Sequence, residues 1–383
     1  MIPLSAPSLQ GNELKYIQEC LDTEWVSSAG KYVDLFEEKI SEYTNAKYAI
    51  ACVNGTSALQ LGLQLVGVVP GDEVIVPTIT FIAPINAVHY NGAEPVFMDA
   101  DDYYNIDVSK TIQFLEKETE YRNGYTWNKK TGKRISAFIP VHVFGNAVWL
   151  DEIIRLCKEL NIKVVEDAAE SIGTRYINGK YSDKHTGTIG NLGCLSFNGN
   201  KIITTGGGGM ILTDDESIAE EAKYLTTQAK DDPVRYIHNE IGYNFRLTNI
   251  QAALGVAQME QLPRFLKRKR EIYKQYRSAF NDVDGITIAT VPDYASNNYW
   301  INILKINSEI YDEDPEALME RLARKGIQTR PVWALNHLQK PYRNCQSYKV
   351  EKAEKLVNKS LCMPSSTSLT DENLNYVITQ LNG

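Results

Sequence analysis

The sequence lacks the features of a membrane or secreted protein. No apolar run reaches the ~20 residues that a membrane-spanning helix needs. The opening MIPLSAPSLQGNELKYI has no basic region followed by an apolar one, so it does not resemble a secretory signal. Basic residues are also in the minority, with 40 against 48 acidic ones and a net charge of -8, whereas a nucleic-acid binder normally presents a basic face. We therefore expect a cytosolic protein that binds neither membrane nor nucleic acid.

Cysteine and histidine are few, and neither is arranged as a set of metal ligands. The six cysteines form no C-x-x-C pair and stand in mostly apolar surroundings, which favours reduced packing residues. None of the five histidines has metal-ligand spacing to another, and His142, inside an apolar run, is interpreted as a hydrogen-bonded core residue. The sequence therefore predicts no metal site. The cysteines are Cys20, Cys52, Cys157, Cys194, Cys345 and Cys362.

The first 250 residues contain short apolar runs that alternate with segments of helical character. Continuous apolar strands separated by helices are typical of an α/β fold, with a mostly parallel sheet covered on both faces. Because 383 residues exceed the ~250 to 300 that one core usually covers, we expect two domains, the larger over 1–250. The runs are EVIVP (73–77), PVFMD (95–99), AFIPVHVFG (137–145), KVVED (163–167), CLSF (194–197) and MILT (210–213).

The pattern changes after residue 250. Residues 249–280 indicate a long helix interrupted at Pro263. The strand NYWINILKI, the helix PEALMERLARKG and the stretch IQTRPVW follow, which predicts a smaller α+β domain over 251–383. Earlier, residues 121–134 contain Asn-Gly and Thr-Gly pairs, which predict a protruding hairpin, with a disordered loop as the alternative.

A single lysine stands before four glycines in SFNGNKIITTGGGGM (196–210). In one interpretation Lys201 is a solvated loop residue, and the glycines only let the chain turn. In the other, Lys201 is a nucleophilic amine, held close to a cofactor by backbone that approaches without side chains. The choice between them depends on the residues elsewhere in the chain.

Three further positions suit a ligand, and each has a structural alternative. Thr56 and Ser57 open a helical segment, where free N–H groups and the helix dipole favour phosphate, although they could simply cap the helix. Asp167 ends a buried strand at the sheet edge where α/β proteins bind ligands, yet with Glu170 it also resembles a capping box. Phe81 either stacks on a planar ring or belongs to the core.

In chain order, these pieces are the parts that pyridoxal phosphate requires, with a lysine for its Schiff base and a carboxylate opposite its pyridine nitrogen. Here the chain resembles, over essentially its whole length, the fold-type I aminotransferases of the DegT/DnrJ/EryC1/StrS sugar aminotransferase family, which make amino sugars on nucleotides. The resemblance implies the aspartate aminotransferase-like fold. The similar motifs are NGTSAL, TFIAPINA, EDAAES, SFNGNK, TTGGGGM, GYNFRLTNIQAALG and GIQTRPVW.

The resemblance implies a role at each matching position. Lys201 matches the Schiff-base lysine, and Asp167 matches the carboxylate that keeps the pyridine nitrogen protonated. Glu170 stands where relatives often carry His or Gln near the ring hydroxyl. Asn244 matches an asparagine that reaches the phosphate of the neighbouring subunit's cofactor, which implies a homodimer with shared sites. The other implied cofactor contacts are Gly55, Thr56, Ser57, Phe81 and Ser196.

The resemblance also implies the reaction. L-glutamate would leave its amino group on the cofactor, and a nucleotide-linked keto sugar would take it up by the reverse steps, with ping-pong kinetics. The alternatives are a nucleotide-sugar 3-aminotransferase, a sugar dehydratase of the same fold and an inactive regulator or scaffold. The dehydratase branch has a histidine in place of Lys201, and retention of Lys201 with Asp167 speaks against a scaffold.

Within the family, the chain most resembles the branch that supplies legionaminic acid and related bacterial sugars, through residues 9–33, 121–134 and 226–249. This implies amination at C4 of a nucleotide-linked 2-acetamido-4-keto-2,6-dideoxyhexose, with UDP favoured over GDP. The pyrophosphate needs positive groups on an acidic protein, although each basic residue could equally be a solvated surface charge. The predicted substrate contacts are Trp25, Ser27, Lys230, Arg235, Arg246, Arg330 and His337.

Overall fold

The computed structural model describes residues 1–232 and 234–381. Its helices are α1 (Glu13–Asp22), α2 (Lys31–Thr44), α3 (Gly55–Leu65), α4 (Ile82–Tyr90), α5 (Val108–Glu118), α6 (Asp151–Glu159), α7 (Glu216–Thr226), α8 (Asn249–Ala279), α9 (Ser308–Tyr311), α10 (Pro315–Arg324), α11 (Lys352–Val357) and α12 (Asp371–Leu381). Its strands are β1 (Tyr48–Cys52), β2 (Glu73–Pro77), β3 (Glu94–Met98), β4 (Thr119–Arg122), β5 (Tyr125–Asn128), β6 (Arg134–Phe138), β7 (Lys163–Asp167), β8 (Arg175–Tyr176), β9 (Leu192–Ser196), β10 (Gly209–Thr213), β11 (Ile286–Ile288), β12 (Ala295–Ser296), β13 (Asn302–Ile306), β14 (Arg330–Pro331), β15 (Ser347–Tyr348) and β16 (Ser360–Met363). Among the described residues, no helix has both the length and the apolar character that crossing a bilayer requires.

The large sheet has the strand order β1-β10-β9-β7-β6-β2-β3-β15. From β9 to β15 neighbouring strands are parallel, while β10 is antiparallel to both β1 and β9. The strands β2 and β7 coincide with the runs EVIVP and KVVED and are almost entirely buried, because the sheet is covered on both faces. The predicted α/β fold with a mostly parallel sheet is confirmed.

The run AFIPVHVFG forms a strand only in its first part. Strand β6 ends at Phe138, before Pro140, which has no N–H to donate to a neighbouring strand. A short 3-10 helix covers Val143–Gly145, and Phe144 within it has a left-handed φ of 58°. The chain therefore leaves the sheet and turns next to the end of β7, where the N–H of His142 donates to the carbonyl oxygen of Asp167 at 3.0 Å.

Residues 121–134 form the predicted hairpin, and the alternative of a disordered loop is wrong. Strands β4 and β5 pair antiparallel across Asn123 and Gly124, whose φ angles of 52° and 81° are typical of a type I′ turn. Strand β5 also pairs with β6, which attaches the hairpin to the large sheet.

The C-terminal part contains a second, antiparallel sheet of order β11-β13-β16-β14. Helix α8 joins the two parts, since Phe265 packs in the larger core and Ile272 in the smaller one. The expected interruption at Pro263 is wrong: α8 is one helix with Pro263 inside it, and the burial of Leu262 and Phe265 on either side offsets the lost hydrogen bond. The N-terminus also reaches this part, because Ile2 pairs with Ile327.

Candidate active site

A cavity of about 680 Å³ opens where β7 and β9 end and α3 begins, and the C-terminal part closes its other side. This is the carboxyl edge of the parallel strands, where α/β proteins bind ligands. The structure brings together eight of the predicted site residues on its wall. They are Gly55, Thr56, Phe81, Asp167, Glu170, Ser196, Lys201 and Arg330.

One end of the cavity is suited to an anion. Helix α3 starts there, and its first N–H groups have no acceptor within the helix. The side chain of Asn54 caps the helix by accepting from the N–H of Ser57 at 2.8 Å, while Gly55 and Thr56 line the cavity. A Cβ added to Gly55 would lie 2.9 Å from the Cβ of Ser196, so only glycine allows this approach. Capping and an anion site are therefore compatible here.

Lys201 lies between a carboxylate and an aromatic ring. Its Nζ is 3.5 Å from Oε1 of Glu170 and 4.1 Å from the ring centroid of Trp300, and its side chain is 12% exposed. The short loop that carries it is closed by the N–H of Lys201, which donates to the carbonyl oxygen of Asn198 at 3.0 Å. The alternative of a solvated loop lysine is wrong for this structure.

Glu170 is buried beside Lys201 and is fixed by the backbone. Its Oε2 accepts from the N–H of Phe144 at 2.8 Å, which the left-handed φ of Phe144 makes available. Burial raises the pKa of Glu170 to about 7, and the charge of Lys201 and the Phe144 N–H oppose that rise only in part. Near neutral pH this carboxyl group can therefore either hold or release a proton.

Asp167, 4% exposed, ends strand β7. Its Oδ1 accepts from the N–H of Ala169 at 3.0 Å. Burial raises the pKa of Asp167, and the Ala169 N–H and the charge of Lys201 counteract this in part. The chain turns after Asp167 and enters β8 at Arg175 without forming a helix, so the capping-box interpretation is wrong.

Behind this carboxylate, His142 and Glu166 form a buried pair. Nε2 of His142 is 3.0 Å from Oε2 of Glu166, and its Nδ1 accepts from the N–H of Val148 at 3.1 Å. Burial would raise the pKa of Glu166, but His142 and the N–H groups of Gly190 and Gly187 outweigh it and lower the pKa. The interpretation of His142 as a hydrogen-bonded core residue is confirmed. No group of three or more potential metal ligands occurs in the described part of the chain.

Two predicted cofactor contacts lie outside this cavity. Ser57 is buried in the first turn of α3. Asn244 is exposed and its backbone forms a bridge with Thr227, away from the cavity of its own chain. An exposed Asn244 is compatible with the expected contact across a dimer.

Six predicted substrate contacts are also outside the cavity, because they belong to the N-terminal segment, the 227–246 segment and the turn after β14. Trp25 is 58% exposed, and Ser27 is exposed with its carbonyl oxygen accepting from the N–H of Asn249. The Nε of Arg246 is buried without a hydrogen-bond partner among the described residues. The remaining three are Lys230, which lies over the ring of Tyr236, Arg235, which pairs with Asp232 at 2.8 Å, and His337, whose Nδ1 is 2.7 Å from Oγ1 of Thr78. Of the seven predicted substrate contacts, only Arg330 lines the cavity.

Sequence reasoning missed the aromatic side chains that close the cavity. Trp300 covers Lys201, and the ring of Trp333 stacks on that of Phe144 with centroids 5.0 Å apart. Trp300 and Trp333 come from the C-terminal part, 99 and 132 residues beyond Lys201. Nothing in the local sequence around them signals that they return to this site.

The cavity fits pyridoxal phosphate, the cofactor expected from the sequence. A helix start free of side-chain bulk suits the phosphate, exposed Phe81 offers a ring face, and Lys201 offers an amine. Burial disfavours the ionised form of Asp167, and a protonated pyridine nitrogen beside it would stabilise that form.

Comparison with known proteins also indicates an enzyme that uses pyridoxal phosphate. A sequence model of the DegT/DnrJ/EryC1/StrS aminotransferase family matches residues 7–382. The chain is 36% identical over 387 residues to EpsN of Bacillus subtilis (strain 168), which carries the name of a pyridoxal phosphate-dependent aminotransferase; the match covers 99% of this chain and 95% of that protein.

A second relative and a solved structure match over similar lengths. The chain is 38% identical over 385 residues to a GDP-perosamine synthase of Escherichia coli O157:H7, which covers 100% of this chain and 98% of that protein. The crystal structure of the aminotransferase TlmJ from Streptoalloteichus hindustanus superimposes with a TM-score of 0.88 at 27% identity, over 100% of this chain and 98% of that one.

Proposed function

The chain belongs to the DegT/DnrJ/EryC1/StrS aminotransferase family and is a pyridoxal-phosphate-dependent nucleotide-sugar aminotransferase, and on that premise we propose that it transfers the amino group of L-glutamate to C4 of a nucleotide-linked 4-keto-6-deoxy sugar. The observation that carries the proposal is the buried amine of Lys201 beside Glu170, within the cavity that also holds Asp167 and the start of α3.

Several residues that line the cavity have a role in this reaction. When bound here, pyridoxal phosphate would supply the carbonyl group that carries the amine and a ring able to accept the electrons of the broken C–H bond. Nζ of Lys201 takes the proton from the α-carbon of glutamate. Gly55 and Thr56 would hold the phosphate with their N–H groups, together with the hydroxyl of Ser196. The carboxylate of Asp167 keeps the pyridine nitrogen protonated, and the Trp300 and Trp333 rings exclude water from Lys201.

The substrate that we assign is UDP-2-acetamido-4-keto-2,6-dideoxyhexose, for an amino sugar of the legionaminic acid type. Support comes from the resemblance of residues 9–33, 121–134 and 226–249 to that branch. The guanidinium of Arg330 is exposed in the cavity, and within the described part of the chain it is bound only to the carbonyl oxygen of Thr329. It therefore offers a contact for the pyrophosphate or the glutamate carboxylate.

A GDP-linked sugar is the second candidate, because a relative that matches the whole chain is named for a GDP-linked amino sugar, perosamine. Both candidates share the reaction proposed above and differ in the nucleotide.

The working unit is proposed to be a homodimer with shared sites. Asn244 is exposed and away from its own cavity, and several apolar side chains near it are exposed as well. Exposed apolar surface of this kind favours an interface. The side chains are Tyr236 (72% exposed), Ile237 (46%) and Ile241 (86%).

The test is a substrate panel. The holoenzyme is incubated with L-glutamate and with UDP- and GDP-linked 4-keto-6-deoxy sugars, each with and without a 2-acetamido group, and the products are identified by mass and NMR. We expect the highest kcat/KM for the UDP-linked 2-acetamido sugar and an amino group at C4, with no product from Lys201→Ala.

Four results would change the assignment. A higher kcat/KM for the GDP-linked sugars selects the second candidate. Equal turnover without the 2-acetamido group, or amination only at C3, overturns the substrate. Failure to aminate any of the sugars contradicts the proposed function as a whole.

A further inference from the structure

Two groups of different chemistry hold the amine of Lys201. Glu170 lies on one side with its Oε1 3.5 Å from Nζ, and the face of Trp300 lies on the other with its ring centroid 4.1 Å from Nζ. Trp300 is only 2% exposed, so its indole ring is almost entirely buried. A cation over a tryptophan face is attracted by the negative face of the ring, and more strongly when the pair is shielded from water than at an exposed site.

The ring of Trp300 is held firmly over Lys201. Its indole Nε1–H donates to the carbonyl oxygen of Asn200, the residue before Lys201, at 2.8 Å. Its own carbonyl oxygen accepts from Nζ of the buried Lys269 at 2.7 Å, and Lys269 also donates to the carbonyl oxygen of Ser365. Trp300 is therefore tied both to the lysine loop and to helix α8.

Asn298, two residues before Trp300, holds the backbone of Glu170, the second partner of Lys201. Nδ2 of Asn298 donates to the carbonyl oxygen of Glu170 at 2.8 Å and to that of Ile172 at 3.0 Å, while its Oδ1 accepts from the N–H of Trp300. One short segment of the C-terminal part thus positions both groups that face the amine.

A buried amine without partners is costly, and an aminotransferase must leave its lysine free for part of each cycle. We propose that Trp300 is a positioning residue whose indole face, with Glu170, forms a resting site for the free amine of Lys201. This site stabilises the protein while the cofactor carries the amino group. The inference rests on the proposed function, because it takes Lys201 as the residue that engages the cofactor.

The resting site predicts different affinities for the two forms of the cofactor. Lys201 is free when pyridoxamine phosphate is bound and engaged when pyridoxal phosphate is bound. Dissociation constants of both compounds are measured by equilibrium dialysis for the parent protein, Trp300→Leu and Trp300→Phe. We expect Trp300→Leu to raise the ratio of the dissociation constant of pyridoxamine phosphate to that of pyridoxal phosphate about 10-fold, which is about 1.4 kcal/mol. Trp300→Phe keeps a ring face and should shift the ratio less.

Trp333→Leu is the matched control, because Trp333 lines the same cavity and stacks on Phe144. It should change both affinities by the same factor. An unchanged ratio in Trp300→Leu overturns the inference, and so does an equal shift in Trp333→Leu. A shift in Trp300→Phe as large as in Trp300→Leu also overturns it, since it would point to the lost indole N–H.

A second measurement needs no cofactor. Unfolding of the cofactor-free protein by urea is compared for Lys201→Met, Trp300→Leu and the double variant, with Trp300→Phe in place of Trp300→Leu if the latter does not fold. The resting site predicts that the two changes are coupled, by about 10-fold in the unfolding constant with leucine and by a smaller factor with phenylalanine. Additive changes contradict it. Neither measurement uses glutamate or a sugar. Both therefore test the resting site even if none of the sugars in the substrate panel is aminated.

Discussion

At the scale of single residues, Asp167 and Glu170 are two buried carboxylates that face the same lysine in different surroundings. Asp167 accepts from Ala169 at the end of a strand, whereas Glu170 depends on Phe144, in a left-handed conformation. Because the pKa of Glu170 is about 7, its protonation changes across the neutral range. Its contribution to stability must therefore depend on pH.

For Glu170→Gln we predict a flatter pH profile of stability in the cofactor-free protein. The pKa rises from 4.5 to about 7 on folding, so between these values the folded state binds more protons than the unfolded state. The free energy of unfolding must then fall as pH rises through this window, by at most about 3 kcal/mol at 1.36 kcal/mol per pKa unit. Urea titrations between pH 4.5 and 7.5 measure this fall in the free energy of unfolding.

The glutamine variant should lose this fall. Glu38→Gln, at an exposed position of α2, is the control and should run parallel to the parent. Parallel curves for the parent and Glu170→Gln would show that Glu170 does not titrate as described.

For Lys201→Ala we predict retention of the cofactor with a loss of turnover by several orders of magnitude. The phosphate and ring contacts remain, whereas the amine that engages the cofactor and moves the proton is removed. Absorbance after dialysis and initial rates measure the two properties. In the parent protein, borohydride should attach the cofactor's mass to the peptide that contains Lys201, and attachment to a different lysine would contradict its role.

At the scale of secondary structure elements, the large sheet was predictable and the connections were less so. EVIVP and KVVED are buried on both faces, so their apolar runs coincide with β2 and β7. AFIPVHVFG has the same apolar character, but Pro140 and the turn at Phe144 depend on contacts with β7 and Glu170 that lie outside the run. Helix α8 continues through Pro263 because tertiary packing outweighs the local preference.

Gly124 in the β4–β5 turn offers a test at this scale. Its φ of 81° is left-handed, and a Cβ there would meet nothing within 4 Å, so only backbone conformation opposes a side chain. Gly124→Ala should lower the free energy of unfolding by about 1 kcal/mol. Gly199→Ala is the matched control, because Gly199 is equally open and has no left-handed φ. Equal losses of stability in the two variants, measured by urea unfolding, would contradict the type I′ turn.

At the scale of the whole molecule, the cavity residues that stand in recognisable local patterns were predictable, whereas the two tryptophans from the C-terminal part were not. Lys201 and Asp167 stand in recognisable local patterns at strand ends. Trp300 and Trp333 reach the cavity only because the C-terminal part folds back on the large sheet, where Nδ2 of Asn336 donates to the carbonyl oxygen of Thr80 at 2.8 Å. Contacts across such distances in sequence have no periodicity to reveal them.

The shared site predicts complementation between two inactive variants. If Asn244 completes the phosphate site of the partner subunit, a heterodimer of Lys201→Ala and Asn244→Ala contains one site with both residues intact. Mixing the variants, with mass spectrometry to verify heterodimers, should restore part of the activity. Each variant mixed with itself is the control. Verified heterodimers without activity would count against the shared site, and activity of the parent should fall on dilution as dimers dissociate.

The bridge between Ile2 and Ile327 has a consequence for synthesis of the chain. Leu4, which lines the cavity, donates its N–H to Oε1 of Gln328, a residue 324 positions later, and its carbonyl oxygen accepts from Ser365. At about 5 to 20 residues per second, the ribosome adds Gln328 roughly 15 seconds to a minute after Leu4. A complete cavity, able to capture the cofactor, therefore forms only after Gln328 and Ser365 have been synthesised.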